Sequence, residues 1–152
     1  MLTILERVDL LQNAEFFREV RTRSLARIAA IAQEVRFEPR QLLFSENEAA
    51  DDMFILLEGE VTLTGAGREE HKLSKFQATG ALALLAEQAH VETARASQPA
   101  LALRIGQGDL FDAMAEDIYI TRGIIRALIR MISAGRTPWK TSETARSRSK
   151  NP

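Results

Sequence analysis

The residues with the spacing to do chemistry lie between Thr79 and Glu92. Thr79-Gly80-Ala81-Leu82-Ala83-Leu84-Leu85 is an apolar run centred on one glycine, and Glu87, Gln88, His90 and Glu92 follow it. A glycine lets a ligand come close to the backbone because no Cβ stands in the way. The Ala/Leu run favours a short helix. A loop that enters a helix through a glycine presents amide N–H groups without partners inside the helix, so the chemistry expected here is anion binding. Taken alone, a Gly-Ala-Leu run is read first as plain packing.

Other chemistries find fewer residues. The chain has no cysteine, which excludes disulfides, thiolate metal sites and cysteine nucleophiles. His71 and His90 are the only histidines, and neither stands in a His-x-His or Glu-x-x-x-His spacing, so no metal site is expected. Each is read as a surface residue. Glu58, Glu60, Glu69, Glu70, Asp51 and Asp52 are read as solvated charges of turns and strand edges. No Ser-His-Asp order or phosphate-binding loop of the nucleotide triphosphatases is present, so no catalytic residues are assigned and no enzyme is expected.

With 152 residues and 45% apolar content, the chain is sized for one domain with a real core. Twenty basic and 21 acidic residues give a net charge of -1, so no basic excess recruits nucleic acid or an anionic membrane. The N-terminus lacks a basic secretory n-region, and no apolar run approaches the length of a membrane span. A cytoplasmic protein is expected.

The elements that must position the glycine run begin with helices. Leu2, Leu5, Val8 and Leu10 or Leu11 predict a helix over Met1–Leu11. Leu25, Ile28, Ala32 and Val35 predict a second over Ser24–Glu34, capped by Thr22 or Ser24. Short strands with turns at close intervals follow: Val35–Phe37, Leu42–Phe44, Met53–Leu57, Val61–Thr64, Glu69–Phe76, Thr93–Ala96 and Ala100–Ile105. Glu58-Gly59 and Gly65-Ala66-Gly67 are turns. Helix returns after Gly108, with Asp109 as its N-cap, and again over Ile118–Ile132. There Ile118, Ile125 and Ile132 lie seven apart with Leu128 between the last two. That seam packs on the chain's own barrel or pairs with a second copy as a homodimer; the first is favoured. The divisions expected are an N-terminal helix at 1–12, a domain at 13–134 and a disordered tail at 135–152.

The order of elements and one long motif carry a resemblance. Phe44-Ser-Glu46-Asn47-Glu48-Ala-Ala-Asp51-Asp52-Met53-Phe54-Ile55-Leu56-Leu57-Glu-Gly59-Glu60-Val61 resembles the Phe-x-Glu-Gly-Asp-x-x-Asp-x-Leu-Tyr-x-Ile-x-x-Gly-x-Val signature of cyclic-nucleotide-binding domains. Thr93–Ala96, Leu101–Ile105 and Asp109–Phe111 are similar to the strands and helix that follow that family's phosphate-binding cassette. The resemblance covers about residues 10 to 133 and implies an α+β, mainly β fold: a small antiparallel β-roll or jelly-roll barrel (a double-stranded β-helix) flanked by N-terminal and C-terminal helices. Family glycines fall on Arg40, Asn47 and Ala50; asparagine tolerates positive φ next best.

In the family the cassette reads Phe-Gly-Glu-Leu-Ala-Leu-Leu, then Pro-Arg-Ser/Thr-Ala. Its Glu binds the ribose hydroxyl and its Arg pairs with the cyclic phosphate. Here Gly80, Leu82, Ala83, Leu84 and Leu85 match, Ala81 replaces the Glu and His90 replaces the Arg, with Val91 and Glu92 next. The ligand-facing set implied is therefore Gly80, Ala81, Leu82, Ala83, His90, Val91 and Glu92, with both charged contacts missing. Arg95 would reach the site only if the cassette slipped. The resemblance implies a non-enzymatic regulatory, sensory or interaction module, with cAMP or cGMP binding lost or weakened, and with Leu82, Leu84 and Leu85 closing the barrel. The alternative is a working sensor of an altered site, in which a protonated His90 and the backbone amides of the Gly80 turn meet the phosphate. A fused or neighbouring effector domain suits such modules. DNA binding is not expected, since no recognition helix is legible after Ile132.

Overall fold

The computed structural model describes residues 1–65 and 67–135. Ala66 of the expected Gly65–Gly67 turn, and the tail beyond Gly135, lie outside the described residues.

Two helices open the chain, α1 (Ile4–Asn13) and α2 (Thr22–Ile31). Thr3 and Glu6 cap α1 reciprocally, each side chain accepting from the other's backbone N–H. The corner between the helices is a series of single turns that buries Phe16, Phe17 and Val20, the two rings meeting edge to face at 4.9 Å. Arg7 of α1 donates to the carbonyls of Ala29 (3.1 Å) and Ala32 (2.8 Å), satisfying the C-terminal end of α2. The second helix stops at Ile31, short of the expected Glu34, because Gln33–Phe37 is taken as strand β1 and pairs with Ala100–Arg104. Neither Thr22 nor Ser24 caps it; Arg21 holds that position, its side chain donating to Ser24 Oγ at 3.1 Å rather than capping the helix backbone.

Seven further strands follow: β2 (Leu42–Phe44), β3 (Asp52–Glu58), β4 (Val61–Gly65), β5 (Arg68–Leu73), β6 (Ala78–Thr79), β7 (Thr93–Ala96) and β8 (Ala100–Gly106). They form two four-stranded antiparallel sheets, ordered β1-β8-β3-β6 and β2-β7-β4-β5. This is the mainly β jelly roll with flanking helices that the sequence implied. Arg40 and Asn47, which stand where the family has glycine, have φ of 77° and 73°, so the backbone shape is kept without the glycines.

The sheet built on β3 and β8 has both faces covered. Met53, Ile55, Leu57, Leu101, Leu103 and Ile105 face the helices and join Leu11, Phe17, Leu25 and Ile28 in one core. Phe54, Leu56, Ala100 and Ala102 face the other way, into the barrel, where they meet Phe44, Val61, Leu63, Leu73, Ala94 and Ala96. Two apolar faces explain why β3 reads as a continuous apolar run rather than an alternating one.

The cassette forms a one-turn helix, α3 (Ala81–Leu85), between β6 and β7. After β8 come α4 (Gln107–Glu116) and α5 (Ile118–Ser133). The expected Asp109 cap is corrected: α4 starts three residues earlier behind Gly106, and Asp109 sits in its first turn. Asp117 caps α5 by accepting from the Tyr119 N–H at 3.0 Å.

The face α5 presents to its own core is Ile120, Gly123, Ile124 and Ala127, with Leu128 packed at its edge. Ile118, Ile125 and Ile132 do not pack on the barrel as favoured from the sequence; with Ile129 they stand about half exposed, at 59%, 49%, 47% and 55%. Gly123 sits where α5 touches the Val20 backbone. A Cβ there would lie 2.7 Å from Val20 Cα and 2.9 Å from Val20 N. Helix propensity alone would make Gly123→Ala stabilising by about 1 kcal/mol. The clash is with backbone and outweighs that gain, so Gly123→Ala is expected to destabilise by roughly 1–3 kcal/mol, read as a lowered midpoint in urea.

Candidate functional site

The site is built around α3 and the segment that leads from it to β7. Gly80 precedes the helix with φ +81°, a conformation only glycine takes without strain. A Cβ at Gly80 would meet His90 Cε1 at 3.0 Å, Asp52 O at 3.1 Å and Phe44 Cε2 at 3.2 Å. The close approach that glycine permits is thus used by the chain's own His90 and Phe44. Gln107 pins the far end of α3, its Nε2 donating to Leu84 O at 2.9 Å. With five residues, α3 makes one helical turn, so the field at its N-terminus is that of very few aligned peptide dipoles.

His90 is buried, at 4% exposure, which corrects the reading of it as a surface residue. Its backbone is tied on both sides: Asn47 N–H donates to His90 O at 2.8 Å and His90 N–H to Glu48 O at 2.9 Å. Its ring lies flat on Phe44, centroids 3.6 Å apart and planes 11° from parallel. Burial pushes the imidazole below its ordinary 6.5, and nearby Glu48, Asp51 and Asp52 pull only partly the other way. Burial also raises the Asp52 carboxyl, against the opposing effect of Arg104. His71, by contrast, is exposed on β5.

The unfolded chain takes up a proton on His90 near pH 6.5, while the folded chain does so only at lower pH. Unfolding therefore binds a proton in the window below 6.5, and stability is full above it and falls as the pH drops through it. His90→Phe, which keeps a ring against Phe44, is expected to flatten the difference in urea midpoint between about pH 7.5 and about pH 5.5. An unchanged difference would place the titrating group elsewhere.

A cavity of about 670 Å³ runs past the cassette. Gly80, Ala81, Leu82, Ala83, His90, Val91 and Glu92 all line it, so the structure brings the whole sequence-derived set together. The sheets contribute Phe44, Leu63, Leu73 and Thr79; the helical layer adds Phe16, Leu128 and Met131. Those three were missed. Phe16 lies in the corner between two helices, and nothing in the local pattern aims it at the cassette. The expected plug of three leucines is only partial. Leu84 turns fully into the helix-side core, Leu85 packs against that core, and half-buried Leu82 borders a space that remains.

Among the described residues that line the cavity, Lys72 is the one with a fixed positive charge, and Glu15 and Glu92 carry negative ones. Arg95 is on the outer face of β7, exposed, and donates to Arg40 O at 2.7 Å. Ala81 is buried and offers only a methyl group. Among the described residues no group of three or more histidines and carboxylates could hold a metal ion. No helix among them is long and apolar enough to cross a membrane.

Comparison with solved structures finds the same architecture. The N-terminal domain of a transcriptional regulator from Streptomyces coelicolor A3(2) matches with a TM-score of 0.69 at 23% identity, over 84% of this chain and 94% of that one. A candidate cyclic nucleotide-binding protein from Geobacter metallireducens GS-15 matches with a TM-score of 0.73 at 22% identity, over 88% and 98%. A second such candidate, from Ruegeria pomeroyi DSS-3, gives 0.74 at 15% identity; this chain spans 88% of its own length but only 61% of that protein's. At these identities the likeness is one of fold. No relative was found among curated proteins. The model of the cyclic nucleotide-binding domain matches residues 34–117, from β1 through the cassette to the cap of α5. That span is more than half of the chain, and it makes the chain a member of the cyclic nucleotide-binding domain family.

Proposed function

We propose that the chain is a non-enzymatic regulatory or sensory module whose affinity for cAMP and cGMP is lost or much weakened. The observation that carries this reading is the state of His90: buried, stacked on Phe44 and held below its ordinary pKa where the family places an arginine. Arginine stays charged and presents a planar fork to phosphate; a neutral imidazole pressed on a ring does neither. The buried methyl of Ala81 supports the same reading at the ribose end.

Isothermal titration with each nucleotide tests it. No binding is expected in the micromolar range, and micromolar affinity for either nucleotide would overturn the proposal. The competing reading, a sensor that uses protonated His90 and the Gly80 amides, requires affinity to rise as pH falls below about 6.5. Glu48, Asp51 and Asp52 would help protonate that histidine but would repel the phosphate it is meant to hold.

A module of this kind acts through another protein segment, and the likeness to the N-terminal domain of a transcriptional regulator supports a fused or neighbouring effector. The exposed isoleucine stripe on α5 supports a homodimer, with Ile129 taking the place of Leu128, which packs on the chain's own core. A cytoplasmic setting is part of the same proposal.

A further inference from the structure

We infer that His90 is a displaceable plug: its imidazole fills a slot bounded by the Phe44 ring and the Gly80 turn, and the slot takes a small planar azole once that imidazole leaves. The inference rests on the reading that the cassette no longer holds a phosphate. The chain itself shows that a five-membered heteroaromatic ring fits. The His90 ring lies on Phe44 with centroids 3.6 Å apart and planes 11° from parallel, and it is buried. Its Cε1, the edge of the Phe44 ring and the Asp52 carbonyl converge on the open side of Gly80. A Cβ at residue 80 would stand 3.0 Å from that Cε1, so the bare glycine gives the slot its depth.

Wall and plug are held in different ways. Phe44 belongs to the barrel core: it stacks on Phe54 at 6.2 Å, and Phe54 meets Phe37 edge to face at 5.8 Å. Those contacts do not involve His90, so the wall keeps its place when the imidazole goes. His90 stands on the link between α3 and β7, outside the strands. What ties it is backbone: the bonds to Asn47 and Glu48, and next to them Ala50 N–H donating to Gln88 O at 3.3 Å. Turning the His90 side chain leaves all three bonds in place. The ring also has somewhere to go, because residue 90 lines the cavity of about 670 Å³ together with Ala89 and Val91. Leaving costs the stack on Phe44, and a second flat ring in the slot restores it. A saturated ring of similar size has no flat face to lay there.

Imidazole is the probe, at about pH 8.5, where it is uncharged. In the full chain, His90→Gly is expected to bind it in the millimolar range, as a ligand of so few atoms can, and at least about tenfold more tightly than the parent. The readout is the rise in urea midpoint with imidazole concentration, compared between variant and parent. Cyclopentanol, a saturated ring, is expected to give no such difference. Adding Phe44→Leu to His90→Gly removes the wall and is expected to abolish the gain. The parent supplies a test that stands even where His90→Gly does not fold. His71 is exposed and its Hε1 proton resonance serves as the reference. The Hε1 resonance of His90, shielded by Phe44, is expected upfield of it, and deuterated imidazole is expected to move it toward the His71 position. A His90 resonance that imidazole leaves in place overturns the inference. So does a folded His90→Gly that takes no imidazole, or takes it no better than the parent. Binding matched by cyclopentanol, or untouched by Phe44→Leu, overturns it as well. A parallel titration with cAMP keeps the two claims apart. Micromolar cAMP binding by the parent refutes the cassette reading, whereas a parent that ignores cAMP beside a His90→Gly variant that ignores imidazole refutes only the plug.

Discussion

Ala81→Glu combined with His90→Arg is expected to bind cAMP about 10²- to 10⁴-fold more tightly than the parent chain. Each change restores one charge-assisted hydrogen bond, worth roughly 1.5–3 kcal/mol, and about 1.4 kcal/mol makes a factor of ten. Both positions line the cavity, although Ala81 is also part of the helix-side core. The backbone that aims them is in place: Gly80 holds φ +81°, and position 90 is bonded to Asn47 and Glu48 on both sides. Replacing His90 also frees the face of Phe44 on which its ring now lies. The single variants should each recover less than the pair, because the arginine holds the phosphate and the glutamate the ribose of one ligand. Isothermal titration of the four proteins measures this as a double-mutant cycle. A folded double variant that gains no affinity would show that the defect lies in the barrel and not in the two side chains.

Ile125→Glu is expected to convert a dimeric chain into a monomer, halving the mass seen by light scattering. Ile118, Arg122, Ile125, Ile129 and Ile132 follow one another at spacings of four, three, four and three, the pattern of a two-helix seam. The four isoleucines are each about half exposed, while the opposite face of α5 is sealed against α2, α4 and Val20. Ile125 is at the middle of the stripe, where two copies would bury it most. A carboxylate there would be desolvated on pairing without a partner, at a cost of several kcal/mol, which weakens association by at least about a hundredfold. Because Ile125 makes no part of the chain's own core, the variant's urea midpoint as a monomer should stay close to that of the parent. A parent chain that is already monomeric at high concentration ends the dimer proposal.

How far the sequence could be read depended on whether a residue's role was local. Most strand positions and the Gly80 turn followed from short-range rules, because turn chemistry and period-two patterns are set by the chain itself; the positive φ at Asn47 followed from the resemblance, the strand expected over Glu69–Phe76 stops at Leu73, and β6 was not legible. The end of α2 did not follow: residues 33 and 34 are good helix formers, but pairing with β8 outweighs that propensity. The direction of side chains was the least legible part. Three leucines in α3 look alike in sequence, yet Leu84 goes to one core and Leu82 borders the cavity. The isoleucines of α5 look like a packing seam, but Ile120, Ile124 and Ala127 take the inner face instead. His90 had the same ambiguity. Its position in the cassette was countable from Gly80, whereas its burial depends on Phe44, 46 positions away in the chain and brought alongside only by the fold.

The sheet that carries β3 and β8 separates two sets of buried side chains, and this has a consequence for how such a protein can change over generations. The helix-side set includes Phe17, Leu25, Ile28, Leu84 and Leu103 and holds the layers of the fold together. The barrel-side set, with Phe44, Leu63 and Leu73 bordering the cavity, shapes what can enter. Successive residues of one strand answer to different demands. The odd-numbered positions 53, 55 and 57 of β3 answer to folding, and the even-numbered 54 and 56 to the barrel interior. Substitutions in the barrel-side set can therefore change what the interior accepts while the helix-side packing keeps the shape of the scaffold.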